Sequence, residues 1–160
     1  MDDHLAELQT GPLYPFADWP NPEVPKHGAG VYTIWQEDLL VYVGMSGRGI
    51  TVDTPVRATP QGIFTRLGSH AGGRRSGDQF CVYVADRMVL PELTAVEIKS
   101  VADARLIFDD LVKKYIRGKL AYRFTIVPDG ATAFRIEDAV KNGALGQRPM
   151  LNPGRRTNTA

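Results

Sequence analysis

The chain contains one cysteine in 160 residues, Cys81. A single thiol excludes an internal disulfide framework and a cysteine-built zinc site. Long apolar runs are missing as well. No stretch approaches the ~20 residues a helix needs to cross a bilayer. The N-terminal residues Met1-Asp2-Asp3-His4 are acidic and lack the apolar core of a secretory signal. The expectation is an intracellular, cytoplasmic protein with no membrane partner. A strong excess of either charge is also absent, the formal net charge being +1. No internal repeat, low-complexity segment, zinc finger or helix-turn-helix pattern is visible. With 160 residues there is room for one domain with a real core, and not for two comfortable ones.

What is present is an uneven distribution of charge. Before Lys26 there are five acids (Asp2, Asp3, Glu7, Asp18, Glu23) and no Lys or Arg. Between Met45 and Gly77 there are five arginines (Arg48, Arg57, Arg66, Arg74, Arg75) against one acid, Asp53. After Asp138 the chain carries Lys141, Arg148, Arg155 and Arg156 and no acid. Affinity for a polyanion depends on such local clusters rather than on net charge. Arg48, Arg57, Arg74 and Arg75 are therefore the candidate nucleic-acid contacts.

Prolines 12, 15, 20, 22 and 25 block helix interiors and sheet ladders, so residues 1–27 are expected to form a Pro-rich arm after a short helix at 5–9. Tyr14, Phe16 and Trp19 would pack it on the protein's own core. Gly30-Val31-Tyr32-Thr33-Ile34-Trp35 and Leu39-Leu40-Val41-Tyr42-Val43-Gly44 flank Gln36-Glu37-Asp38 and read as a β-hairpin. Period-2 alternation puts Tyr32 with Ile34, and Leu40 with Tyr42, on shared faces. Ser46 to Pro60 is a loop, and residues 61–70 form a short helix on which Arg66 and His70, four apart, share a face. A strand is expected at 80–85. A long amphipathic helix follows from about Ser100, its cap, to Arg117. A strand at 122–127 leads to a helix at 131–142.

Gly30-Val31-Tyr32 and Tyr42-Val43-Gly44 resemble the paired signature of the GIY-YIG nucleases, with Val in place of Ile at both middle positions. After the hairpin that family carries an arginine on its first helix, a glutamate on a later helix and an asparagine near the domain's end. Arg66, Glu137 and Asn152 stand in that order here, and Arg66 followed by His70 is similar to several branches of the family. The motif elements span residues 30 to 153. The resemblance implies an α+β fold, a small mainly antiparallel sheet flanked by helices, with the strand and long helix at about 79–118 as an insertion. It implies a Pro-rich arm at 1–27, a nuclease domain at 28–153 and a flexible basic tail at 154–160.

For chemistry, the resemblance implies a metal-dependent endonuclease acting on double-stranded DNA. Its catalytic residues would be Tyr32, Tyr42, Arg66, His70, Glu137 and Asn152. Glu137 would hold one Mg²⁺, with Mn²⁺ as a substitute, since a hard ion takes a carboxylate and shares its shell with phosphate oxygens. Arg66 matches phosphate with planar donors. Tyr32 would accept a proton from the attacking water, with His70 as the second candidate. Tyr42 would hydrogen-bond phosphate or water, and Asn152 would position Glu137 or the backbone around it. The role is open between a restriction-type enzyme and a structure-guided repair or mobile-element nuclease, DNA is favoured over RNA without exclusion, and the protein would be a monomer or homodimer. A non-catalytic nucleic-acid-binding module on the same fold is the alternative.

Overall fold

The computed structural model describes residues 1–152. The tail expected at 154–160 lies outside them. The elements run α1 (Asp2–Thr10), β1 (Tyr14–Pro15), β2 (His27–Gln36), β3 (Leu39–Ser46), β4 (Gln61–Gly62) and α2 (Ile63–Gly72). They continue with α3 (Gln79–Val84), α4 (Ala95–Ala102), α5 (Phe108–Lys119), β5 (Ala121–Val127) and α6 (Gly130–Lys141). The fold is α+β: a small open sheet, ordered β1-β5-β2-β3 and antiparallel along that path, is flanked by helices, with β4 paired in parallel to the start of β2.

Helices cover both faces of the sheet, which is why β2 is buried at every position from Ala29 to Trp35. On one face Tyr32, Ile34, Val41 and Tyr122 pack with Leu67 of α2, Val84 of α3 and Ile116 of α5. On the other, Val31, Trp35, Leu40 and Val43 pack with Leu8 of α1 and with Ile136 and Val140 of α6. The hairpin closes through Glu37 in the left-handed region (φ 53°). Its register places Tyr32 opposite Gly44 and Ile34 opposite Tyr42, and then slips between Ile34 and Trp35. The slip leaves one residue of β3 over, and such a bulge redirects side chains. Val41 and Tyr42 consequently both serve the first core, while Leu40 serves the second. The expected shared face for Leu40 and Tyr42 is therefore corrected.

Three other expectations change. Residues 80–85 are not a strand: Asp78 caps α3, which runs on through a π-helical turn (Ala85–Val89) and a 3-10 turn (Leu90–Glu92). The pairs Phe80/Cys81, Val84/Ala85 and Met88/Val89 are all buried, a four-residue spacing that belongs to a helix and that six residues are too short to display. The long helix from Ser100 is two. Thr94 caps α4 in a reciprocal box with Glu97, and the chain turns at Ala104 (φ 57°) before α5 begins after Ile107. The Pro-rich stretch packs on the core through Tyr14, Phe16 and Trp19 as expected, but it carries more regular structure than its prolines suggest. Helix α1 extends over residues 2–10, β1 pairs with β5, and Phe16 and Val24 are buried.

Strand β3 is the sheet's edge, and the chain's later residues cover it. Met150 and Leu151 donate backbone N–H groups to Leu40 O and Val41 O. Covering an edge removes the unpaired groups that would otherwise template aggregation.

Candidate active site

The site begins at the middle of the hairpin. Tyr32 is buried, and its hydroxyl lies over Gly44, where a Cβ atom would fall 2.2 Å from Tyr32 Oη. Only glycine leaves that space, so the two ends of the paired signature depend on each other. A buried phenol needs a polar partner, and helix α2 supplies it. Ile63, Leu67 and His70 form the buried stripe of that helix, and Tyr32 Oη lies 2.7 Å from His70 Nε2. Gly73 (φ 71°) ends α2 so close to Lys113 of α5 that a Cβ would sit 2.5 Å from Lys113 Cα. The helix end that carries His70 is thereby fixed against α5.

Behind His70 stands Asp78. Its Oδ2 lies 2.6 Å from His70 Nδ1, while its Oδ1 accepts from the backbone N–H groups of Phe80 (3.1 Å) and Cys81 (3.4 Å). The residue that starts α3 therefore also anchors the imidazole. Tyr32, His70 and Asp78 form an unbroken buried chain, and among the described residues no buried side-chain polar atom lacks a partner.

A cavity of about 160 Å³ opens beside this chain, lined by Tyr32, Tyr42, Gly44, Arg66, His70, Asp78 and Glu137, among others. It borders a wider groove of about 420 Å³ lined by Met45, Ser46, Gly47, Arg48, Arg66, Glu137 and Lys141. Arg66 is exposed, on the same helix as His70 but at the mouth. Glu137 is buried and pairs with Lys141 at 3.0 Å, one turn along α6. Helix α6 is held at its start. Asp129 caps it by accepting from Thr132 N (2.7 Å), and Gly130 donates its N–H to Ile50 O (2.9 Å). A Cβ at Gly130 would lie 2.2 Å from Arg48 O, so the Gly47–Ile50 loop rests directly on that helix.

Burial pushes the Tyr32 phenol well above its usual value, Tyr42 adds to this, and Arg66 opposes it without prevailing. Burial, then the Glu137 charge, raises Tyr42 to about 12. Both hydroxyls are neutral at ordinary pH. Burial lowers the His70 imidazole, and Asp78 recovers only part of that shift. Burial is the largest influence on the Asp78 carboxyl and would raise it, but the hydrogen bond and charge of His70, together with hydrogen bonds from Ser69 and the Cys81 backbone, hold the group below its usual value.

Five of the expected residues thus converge: Tyr32, Tyr42, Arg66, His70 and Glu137. Asn152 does not join them. Its carboxamide accepts from Val43 N (2.8 Å) and donates to Val43 O (2.9 Å), acting as a strand partner for β3. It positions the backbone beside Tyr42 rather than that around Glu137. Of the candidate basic contacts, Arg48 lines the groove, its guanidinium 5.9 Å from the Phe134 ring centroid. Arg57 and Arg74 are exposed but do not line the groove. Arg75 is engaged within the fold, bonded to Asp109 (2.5 Å) and stacked over Phe108 (4.7 Å). The mistaken strand at 80–85 hid Asp78, although an Asp two residues before an apolar run is a helix-cap signal. Lys141 was legible as a charge but not as the partner of Glu137.

Two donor sets bear on a metal. His70, Asp78 and Cys81 offer ligand atoms within 4.8 Å of one another. All three are already used: Asp78 bonds His70, and Cys81, its thiol pushed up by burial, donates to His70 O at 3.7 Å. Glu137 differs. It is a single carboxylate facing an open groove with room for water and phosphate oxygens, a donor set that fits Mg²⁺.

No family model, no curated protein and no solved structure matches the chain.

Proposed function

We propose that this protein is a metal-dependent endonuclease of the GIY-YIG type, hydrolysing phosphodiester bonds in DNA. The observation that carries the reading is the convergence of Tyr32, Tyr42, Arg66, His70 and Glu137, drawn from four separate elements, on one cavity. A packed tyrosine, a surface arginine and a helix glutamate each have ordinary explanations. Their meeting in one cavity beside a basic groove does not.

The roles follow from position. Arg48 and Arg66 receive the backbone phosphates, and the Arg66 guanidinium at the mouth offsets the negative charge that grows on the non-bridging oxygens. Glu137 would hold Mg²⁺, and the bound ion would act as a Lewis acid on the phosphate and steady the departing 3′ oxygen. Lys141 pairs with the same carboxylate at 3.0 Å. Tyr42, on the cavity wall with its ring centroid 6.5 Å from that of Tyr32, donates a hydrogen bond to the phosphate or the attacking water. Tyr32 and His70 handle the proton. Asn152 keeps β3, and with it Tyr42, in place.

The test is incubation of the full chain with supercoiled plasmid and Mg²⁺, beside Glu137→Ala and Tyr32→Phe. Cleavage by the wild type alone supports the reading, with discrete fragments indicating restriction-type recognition and nicks indicating structure-guided or non-specific cutting. Salt-dependent binding without cleavage would instead mark a non-catalytic module. Cleavage that survives Glu137→Ala would overturn the mechanism.

A further inference from the structure

An ionised carboxylate only accepts hydrogen bonds. All of the groups close to Asp78 are donors or must become donors. Its Oδ1 takes the N–H groups of Phe80 and Cys81, so Oδ2, at 2.6 Å, must take a proton from His70 Nδ1. A neutral imidazole carries one ring proton, so the proton on Nδ1 leaves Nε2 as a bare acceptor. At 2.7 Å from Nε2, the Tyr32 hydroxyl must then be the donor. The direction of the whole chain is set from its buried end: Tyr32 donates to His70, and His70 donates to Asp78.

We propose that Asp78 is the positioning residue of the proton acceptor, holding His70 with Nε2 free, so that the attacking water is deprotonated through a neutral Tyr32 hydroxyl onto His70 and not by a tyrosine phenolate. The proposal rests on the nuclease reading for its reaction and on geometry for its direction. As the water oxygen bonds to phosphorus and the P–O3′ bond breaks, the water proton moves to Tyr32 Oη. The proton already on Tyr32 moves at the same time to His70 Nε2. The imidazolium so formed lies against the Asp78 carboxylate, and the 3′ oxygen takes up a proton from solvent. Tyr32 begins and ends neutral, as a fully buried phenol in this setting requires. His70 returns its proton to bulk water through the cavity after product leaves. A buried carboxylate fixes the tautomer of the general-base histidine in serine hydrolases by the same physics.

Asp78→Asn is unusually informative here. The backbone N–H groups of Phe80 and Cys81 require an oxygen in front of them, so the new amide must turn its NH₂ toward His70 Nδ1. A donor there makes Nδ1 an acceptor, moves the ring proton to Nε2 and reverses the bond to Tyr32. Geometry is kept and direction is lost.

The experiment is long-range ¹H–¹⁵N correlation of the three histidines (His4, His27, His70) in the full chain at neutral pH, with His70 recognised by its proximity to the Phe80 ring, whose centroid is 4.6 Å away. We expect the Nδ1-protonated tautomer in the wild type and in Tyr32→Phe, and the Nε2-protonated tautomer in Asp78→Asn. With plasmid and Mg²⁺, Asp78→Asn is expected to slow cleavage by roughly 10³–10⁴-fold at unchanged DNA affinity. An Nε2-protonated His70 in the wild type overturns the proposal without need of any variant. So does a reversed tautomer with undiminished cleavage. If the wild type has the expected tautomer but cuts nothing, the nuclease reading fails, while Asp78 as the group that orients His70 is upheld.

Discussion

The inner cavity and the outer groove share Arg66 and Glu137 but are built by opposite rules. Inside, Tyr32, His70 and Asp78 are buried and each polar atom is matched. The groove outside is edged by exposed Arg48 and Arg66 and by the Glu137–Lys141 pair, with space for ligand and ion. A site that moves protons needs fixed donors and acceptors, and burial strengthens and orders them. A site that receives a polyanion needs charges kept hydrated until the ligand arrives. The difference teaches that groove variants should lose activity without losing stability, whereas cavity variants should lose both.

The largest effect is expected at Glu137. Glu137→Ala should abolish Mg²⁺-dependent plasmid cleavage while leaving the thermal midpoint within a degree or two, since the Lys141 partner it leaves behind is exposed and returns to water. Next among the groove variants is Arg66→Lys, which keeps the charge but loses the planar fork. Single-turnover cleavage should fall about 10²-fold.

Cavity variants sharpen the contrast from the other side. His70→Asn strips Asp78 of its partner in a buried setting and should cost about 3 kcal/mol in urea unfolding, in addition to cleavage. Acid should produce a milder form of the same loss. The His70 folded value lies below 6.5, so its contribution is full above that pH and is lost as the pH falls toward the folded value. Asp78, held below 3.8, contributes above that value and loses its contribution as the pH falls through the folded one. Urea midpoints measured from pH 8 down to pH 4 should therefore decline below about 6.5. His70→Asn should remove the upper part of that decline.

Asn152→Ala deletes two hydrogen bonds to Val43 and should cost about 1–3 kcal/mol. Its cleavage rate per folded molecule should drop less than that of any cavity variant. A cleavage loss as deep as that of Glu137→Ala would mean Asn152 acts in the chemistry and not through β3. The smallest effect is expected at Arg48: Arg48→Ala should reduce the slope of log affinity against log salt by about one, with no change in the urea midpoint.

The same contrast explains what could be read from the sequence. The hairpin, α2, β5 and α6 were legible because their apolar periods are complete within their own lengths, and those elements carry Tyr32, Tyr42, Arg66, His70 and Glu137. Their convergence was legible only through resemblance. Misread segments were those whose period exceeds the window. Six apolar-rich residues at 80–85 fit a strand, and only Met88 and Val89 reveal the helix. Val101 and Ala104 extend the three- and four-residue apolar spacing of α5 backwards in the sequence, so the turn at Ala104 leaves no break in the pattern, although α4 itself buries no residue. Asp78 was lost with the mistaken strand, because its role depends on starting a helix. The bulge at Val41 is invisible in composition, yet it decides which core Leu40 joins.

The most direct measurement is single-turnover cleavage of an end-labelled DNA duplex with Mg²⁺, run beside binding isotherms for the wild type, Glu137→Ala and His70→Asn. The account predicts that the wild type cuts, that both variants bind the duplex with near wild-type affinity, and that neither cuts at a measurable rate. Cutting by either variant at the wild-type rate would contradict it.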